Sequence, residues 1–300
     1  MDEGCMNSSD RAKWIRSLHF NNKSFSLNIE VNDRPSNWII NYIFEILLRE
    51  RYGYRNINFI YAPWDSSANA IGRLNCEKSK KDCSRPPPIH VNLEVWLRTG
   101  EQVSDYAPPH RVSSNGPLGP ITRWGLYANE ELWNHYSPLN RDPTLSSAGS
   151  FYESLAGSGG NGMLYYDRPS MLNAYHRLLS DDGITRMELR SEHLPTQSLW
   201  NITSNTISGP GDRLPVLLNW YPNALTVKSR LVRLGLPDCL AFSARVPENV
   251  TVSATCDFEV NELVKVSWAR LAESAPLIKQ LLDRFSIKQA DYIDLLRRVS

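Results

Sequence analysis

Apolar and polar residues alternate from Ser24 to Val31 (SFSLNIEV), a period of two that predicts a β-strand. After Pro35 the period changes. Apolar residues recur at helical spacing through WIINYIFEILLRERYGY, with Ser36 or Asn37 available as the N-terminal cap and Gly53 as the stop. Ile57 to Pro63 (INFIYAP) reads as a second strand and SSANAIGRL as a weak short helix. Ile89 to Trp96 (IHVNLEVW) reads as a third strand, reached through a triple proline. This order of strand, helix, strand, helix, strand is the grammar of a parallel α/β sheet. The residues before Ser24 read as a loosely ordered lead-in.

The middle of the chain is richer in turns. Ile121 to Ala128 (ITRWGLYA) predicts a strand crossing out of the first unit, and Glu130 to His135 a short helix. A Ser/Gly-rich loop from Ser146 to Gly162 precedes the strand GMLYY. MLNAYHRLLSDDG reads as an amphipathic helix ending at Gly183, TRMELRS as a strand, and Leu194 to Asn205 as a helix. Leu214 to Tyr221 (LPVLLNWY) is the most apolar strand of the second half. A short helix and a strand near Arg230 to Leu234 follow, then an irregular cysteine-bearing excursion and two terminal helices, AESAPLIKQLLDRF and IKQADYIDLLRRV.

Three hundred residues suffice for two lobes, each with its own core. A formal net charge of +1 supplies no global field to attract nucleic acid or an anionic membrane. No apolar run approaches the ~18 residues that a membrane helix needs. The start, MDEGCMNSSD, is polar and acidic and is no signal peptide. The export signal is therefore missing from this chain, or the protein is cytosolic.

Cysteines and sequons favour the first alternative. Cys76 and Cys83 bracket a short polar loop, and Cys239 and Cys256 bracket another irregular stretch, as two local disulfides would; Cys5 is left over. Asn-x-Ser/Thr sequons occur at Asn7, Asn22, Asn201 and Asn249, and glycosylation is expected at the last three. Together these features point to an extracellular or membrane-associated ectodomain.

Enzyme motifs are weak. Gly157 to Gly162 formally matches the dinucleotide fingerprint, but a strand follows it where a helix is required. No nucleophile elbow, zinc-protease helix or phosphate loop occurs. The histidines, His19, His90, His110, His135, His176 and His193, lack ligand spacing. Neither a catalytic set nor a cofactor or metal site is expected.

Tryptophan is the positive signal, with nine in the chain. Trp38 starts the first helix, Trp64 follows the second strand, Trp96 ends the third, and Trp220 with Tyr221 ends the late apolar strand. Ligands of open parallel sheets bind beyond the carboxyl ends of strands. Aromatic faces gathered there suit a quaternary ammonium, at roughly 0.5–2 kcal/mol per desolvated contact.

The chain resembles the substrate-binding proteins of glycine betaine/proline betaine/choline ABC importers, from about Ser24 to the C-terminus. The resemblance is carried, in order, by NWIINYIFEILLRERYGY, HVNLEVWLRTGE, GPITRWGLYANEEL, RSEHL, LPVLLNWYPNALTVKSRLVRLGLPD and IKQLLDRFSIKQADYIDLL. It implies an α/β fold: a two-lobed clamp of the type II periplasmic-binding-protein kind, with a mainly parallel sheet in each lobe. Lobe one would comprise residues 24–121 and 221–300, and lobe two residues 122–220.

The resemblance also implies that Trp96 and Trp220 are aromatic walls of a betaine cage and that Trp38 faces the cleft. Asn223 stands where the family has a histidine that holds the ligand carboxylate, and Ala224 where it has a tryptophan. Trp124 and Trp200 are both candidates for the remaining second-lobe wall. The implied ligand is a small quaternary amine or zwitterion, and the implied partner a membrane permease or a receptor. The alternative is an extracellular interaction or receptor domain that kept the fold and lost the cage.

Overall fold

The structure is a computed structural model that describes residues 4–76, 85–136, 161–169, 171–173, 175–176, 189–204, 213–234, 258 and 260–298. Cys83, Cys239, Cys256 and Asn249 lie outside the described residues, as do most of the Ser/Gly loop and the end of the helix expected at Gly183. The chain divides into two compact units, residues 1–121 with 261–300 and residues 122–260.

In the first unit, β1 (Leu18–Phe20) and β2 (Lys23–Phe25) form a hairpin. Strand β3 (Leu27–Val31) leads into helix α1 (Pro35–Ile46), which continues as a π-helical turn over Leu47–Arg51. Strand β4 (Ile57–Tyr61), helix α2 (Ser67–Arg73) and strand β5 (Val91–Arg98) complete the parallel core, in which β3 lies between β4 and β5. Strand β6 (Val112–Asn129) is much longer than the alternation around Ile121 predicts, and the unit boundary falls within it.

In the second unit helix α3 (Glu130–Tyr136) and strands β7 (Gly162–Tyr166) and β8 (Arg190–His193) come first. Helix α4 (Thr196–Ser204), strand β9 (Leu214–Tyr221), helix α5 (Ala224–Lys228) and strand β10 (Leu231–Leu234) follow. There β7 pairs in parallel with β8 and β9, while β6 takes β9 and β10 antiparallel.

Strand β11 (Val260–Trp268) returns the chain to the first unit and pairs antiparallel with β5. Helices α6 (Leu271–Ser274), α7 (Pro276–Arg284) and α8 (Gln289–Arg298) close that unit.

Three differences from the sequence reading have physical causes. The return to the first unit comes at Asn261, where the sequence places it at Tyr221, because β11 carries it. From Leu263 to Trp268 every residue of β11 is buried, so the strand shows no alternation to betray it. Second, the segment before Ser24 is tied down: Leu18 and Phe20 are in the core, and Arg11 and two backbone N–H groups engage the Glu50 carboxylate. Third, α1 begins at Pro35, whose fixed φ suits the first helical position, so Arg34 occupies the cap and Ser36 and Asn37 lie inside the first turn. The Asn37 carboxamide oxygen instead accepts the Asn32 N–H at 3.0 Å, tying the end of β3 to the helix.

Each unit has an apolar core. Ile71, Val95, Leu97, Val112, Val264 and Val266 form one in the first, and Tyr127, Met163, Tyr165, Leu199, Leu217 and Leu225 one in the second. Among the described residues no helix is long and apolar enough to cross a membrane. Cys76 is buried, and Cys5 is free and exposed.

Two stability predictions follow from this packing. Gly119 has φ +118°, and a Cβ there would sit 2.2 Å from the Ile287 carbonyl oxygen, beside the bond from Ile287 N–H to Leu118 O. Gly119→Ala should cost about 1–3 kcal/mol in chemical denaturation; a change under about 0.5 kcal/mol would contradict the close approach.

His90 is 2 % exposed, and its Nδ1 accepts the Asn28 N–H at 2.9 Å. Burial pushes its pKa down to about 4 from 6.5. The unfolded chain therefore binds the proton first, so this contribution to stability is whole above pH 6.5 and is lost as pH falls toward 4. His90→Asn, which keeps an acceptor, should flatten the denaturation midpoint against pH across that window.

Candidate functional site

Alternation in β5 sends Glu94 and Trp96 to one face of the sheet, two residues apart. Next to them, where β3 turns into α1, lies Arg34. The Arg34 guanidinium carbon is 4.7 Å from the Trp96 ring centroid and 5.1 Å from that of Trp64, and the two indoles meet edge to face at 5.4 Å. Arg34 Nη1 lies 3.3 Å from Glu94 Oε1, and side-chain exposures of 1 % and 0 % make this a buried ion pair.

The remaining polar atoms converge on the same place. Arg34 Nε donates to Asn32 Oδ1 at 3.2 Å and Nη2 donates to the Glu94 carbonyl at 3.2 Å. Ser36 Oγ and Trp96 Nε1 both donate to Glu94 Oε1, at 3.0 and 3.3 Å. The Tyr292 phenol is pushed well above its ordinary pKa by burial first and then by the Glu94 charge. Removing one partner of such a pair costs about 3–5 kcal/mol, because the other charge stays buried.

The second unit has its own tryptophan pair. Antiparallel register sets Trp124 opposite Trp220, with ring centroids 5.5 Å apart at 76°. This selects Trp124 as the companion of Trp220; Trp200 packs against another core cluster, with Lys228 Nζ 6.0 Å from its ring. The Arg168 guanidinium, just beyond β7, lies 5.7 Å from the Trp220 ring, and Arg168 Nε is 3.9 Å from Asp167 Oδ1.

Asn223 has a different use from the one the resemblance implies. Its oxygen accepts the Thr226 N–H at 2.9 Å, capping α5, and its amide donates to Asn219 Oδ1 and the Trp220 carbonyl, both at 2.6 Å. A carboxamide has two donor hydrogens, and both are engaged within the chain. Asn223 thus fixes the turn after Trp220. Tyr221, 40 % exposed, follows Trp220 in the strand and so points to the opposite face of the sheet.

Trp38 meets Tyr42 at 5.7 Å with rings tilted and Phe59 at 5.8 Å edge to face, in an aromatic patch on α1 and β4 distinct from the Trp64–Trp96 pair. Thus Trp38 and Trp96 belong to separate aromatic groups of the first unit, and Trp220 belongs to the second. Asn22 and Asn201 are exposed, as sequon residues must be for modification. Among the described residues no group of His, Cys, Asp or Glu could hold a metal ion.

Sequence reasoning passed over Arg34, Glu94 and Arg168. Glu94 carried no usable signal, because polar and apolar residues alternate through IHVNLEVW and an acid in that register reads as solvent-facing. Arg34 and Arg168 carried none, because a loop arginine does not reveal which ring it will cover.

No family model matches the chain, and no curated protein matches it in sequence. Solved structures do. The glycine betaine, L-proline ABC transporter binding protein ProX from Borrelia burgdorferi is similar at 13 % identity, with TM-score 0.57 over 91 % of this chain and 86 % of that one. Lactococcal OpuAC, closed and complexed with glycine betaine, is 12 % identical, with TM-score 0.56 over 92 % and 91 %. An ABC-transporter choline-binding protein in complex with choline is 15 % identical, with TM-score 0.55 over 90 % and 81 %. At such identities the likeness speaks for architecture. The chain has the α/β fold of type II periplasmic-binding proteins.

Proposed function

We propose that the chain is a solute-binding module, with no catalytic activity, for a small zwitterion or quaternary amine, working in ABC-type import or in ligand sensing. The observation that carries this reading is the tryptophan pair that ends a strand in the second unit, Trp124 with Trp220, bearing a guanidinium on the Trp220 ring. Its fold neighbours, two of which are described as complexes with glycine betaine and choline, support it.

Of the two ligand types we favour the zwitterion. Asn223 has no amide hydrogen left for a carboxylate, and Arg168 supplies a positive charge beside the same ring. A charged donor holds a carboxylate better than a neutral amide does. In this reading Trp220 faces the ligand ammonium, Arg168 its carboxylate, and Asn223 holds the turn. Trp38, Trp96 and Tyr221 are retained as outer candidates only.

A second reading is favoured by the first unit, where the Trp96 ring already carries a cation of the chain itself. On that reading the module is an extracellular interaction domain without a small ligand. In either case we assign it to an oxidising compartment, with Cys76 paired to Cys83 and Cys239 to Cys256, glycans on Asn22, Asn201 and Asn249, and a permease or receptor as partner.

A thermal-shift and tryptophan-fluorescence screen separates the readings. Glycine betaine or proline betaine at a hundred times its dissociation constant should stabilise the chain by about 2.7 kcal/mol. Trp220→Phe should remove the fluorescence change. Arg168→Gln should weaken glycine betaine about tenfold or more while leaving choline almost unchanged, the size of a lost charge-assisted bond. Silence toward every amine at millimolar concentration would establish the second reading instead. For the compartment, chain secreted from eukaryotic cells should lose mass on glycosidase treatment; unchanged mass would overturn that assignment.

A further inference from the structure

We infer that Trp64, Trp96, Asn32 and Glu94 form a guanidinium-binding site that the chain keeps filled with its own Arg34, and that Arg34 is thereby the residue that excludes any free cation from the first unit. This inference goes beyond the solute-binding reading and stands on the geometry of the first unit alone.

The site has every part that recognition of a planar, N–H-rich cation requires. Two indole rings lie 4.7 and 5.1 Å from the guanidinium carbon, within the range of cation–π attraction. The counter-charge is Glu94, 3.3 Å away and almost wholly buried. Around the edge, Asn32 Oδ1 and the Glu94 carbonyl accept N–H groups at 3.2 Å. Those acceptors decide the chemical class. A quaternary ammonium has no N–H to give and would leave buried oxygens unsatisfied, whereas a guanidinium presents five donors in a fixed fork. The walls alone would admit either cation; the rim selects the guanidinium.

Trp96 and the Glu94 carboxylate also have contacts other than Arg34. The Trp96 indole N–H donates to Glu94 Oε1, the Trp96 carbonyl accepts the Ser67 hydroxyl at the start of α2, and Ser36 Oγ holds the carboxylate from the first turn of α1. Shortening Arg34 should therefore leave a formed cavity with a negative floor.

Arg34→Ala removes the fragment that ethylguanidinium would replace. The expected result is a lowered melting temperature that ethylguanidinium restores saturably at millimolar concentration, with tetramethylammonium at least tenfold weaker and the unmutated chain indifferent to both. Arg34→Ala/Glu94→Gln, which removes both buried charges, should fold without the additive and bind ethylguanidinium at least tenfold more weakly than the single variant. If the single variant does not fold unaided, ethylguanidinium added during refolding should recover its circular-dichroism spectrum. The inference is overturned if the folded variants show no saturable response, if refolding is not recovered and the double variant is silent, or if tetramethylammonium does as well as ethylguanidinium. The response of the unmutated chain to glycine betaine, read separately, tests only the solute-binding proposal.

Discussion

Burying a guanidinium and a carboxylate together is the constraint around which the first unit is organised. Neither Arg34 nor Glu94 retains contact with water, so each depends on the other and on the polar atoms around them. The strand ends, the start of α1 and the indoles of Trp64 and Trp96 all serve that requirement. Tyr292 of α8 brings the C-terminal helix to the same place, and its phenol is kept protonated by burial and by the neighbouring carboxylate. A second buried acid nearby is treated the same way: Glu30 is gripped by Arg73 Nη2 and Nε, at 2.8 and 2.9 Å, and by Asn92 at 2.8 Å. Arg73 is accordingly held above its ordinary pKa, first by its hydrogen bond to Glu30. The interior of this unit thus holds these charged clusters among its apolar side chains.

These clusters change what an aromatic residue means. A tryptophan at a strand end is closed to a ligand where a fully buried cation of the chain covers its face. In the first unit the cover comes from within, by a residue that is 1 % exposed. In the second the guanidinium on Trp220 comes from Arg168, whose side chain is 17 % exposed, so that cluster is nearer to solvent. The two units carry the same motif of two indoles and an arginine, with the arginine buried in the first and partly exposed in the second, which is why the solute-binding proposal is built on the second. Asn223 illustrates a related conversion: where a donor for a ligand was expected, the amide is spent on the cap of α5 and the turn behind Trp220. Short helices gain from such caps, about 1 kcal/mol each.

Much of the fold was legible because its signals are local. Period-two alternation located β3 and β5, and the apolar run located β9; helical spacing located α1 and α7, and Gly53 marked the turn after the π-helical segment. The order of these elements implied a parallel core, which β3, β4 and β5 form. What escaped was β11, buried on both faces from Leu263 onward and carrying Asn261 and Lys265 at buried positions. Lys265 reads as a surface residue, yet its ammonium is buried and donates to the Leu282 and Phe285 carbonyls at the end of α7, with its pKa lowered to about 8 by desolvation. Missing that strand displaced the expected return between units from Asn261 to Tyr221.

By itself, then, the sequence determined many of the elements and their order, the α/β class, and which tryptophans stand at strand ends, because backbone periodicity and turn chemistry act over a few residues. Tertiary structure alone decided what those tryptophans touch. Arg34 and the Glu94 carbonyl it binds are 60 residues apart, and Trp124 meets Trp220 only through antiparallel register. A cation over a ring depends on where two distant segments cross, and no local pattern of hydrophobicity or charge records that crossing.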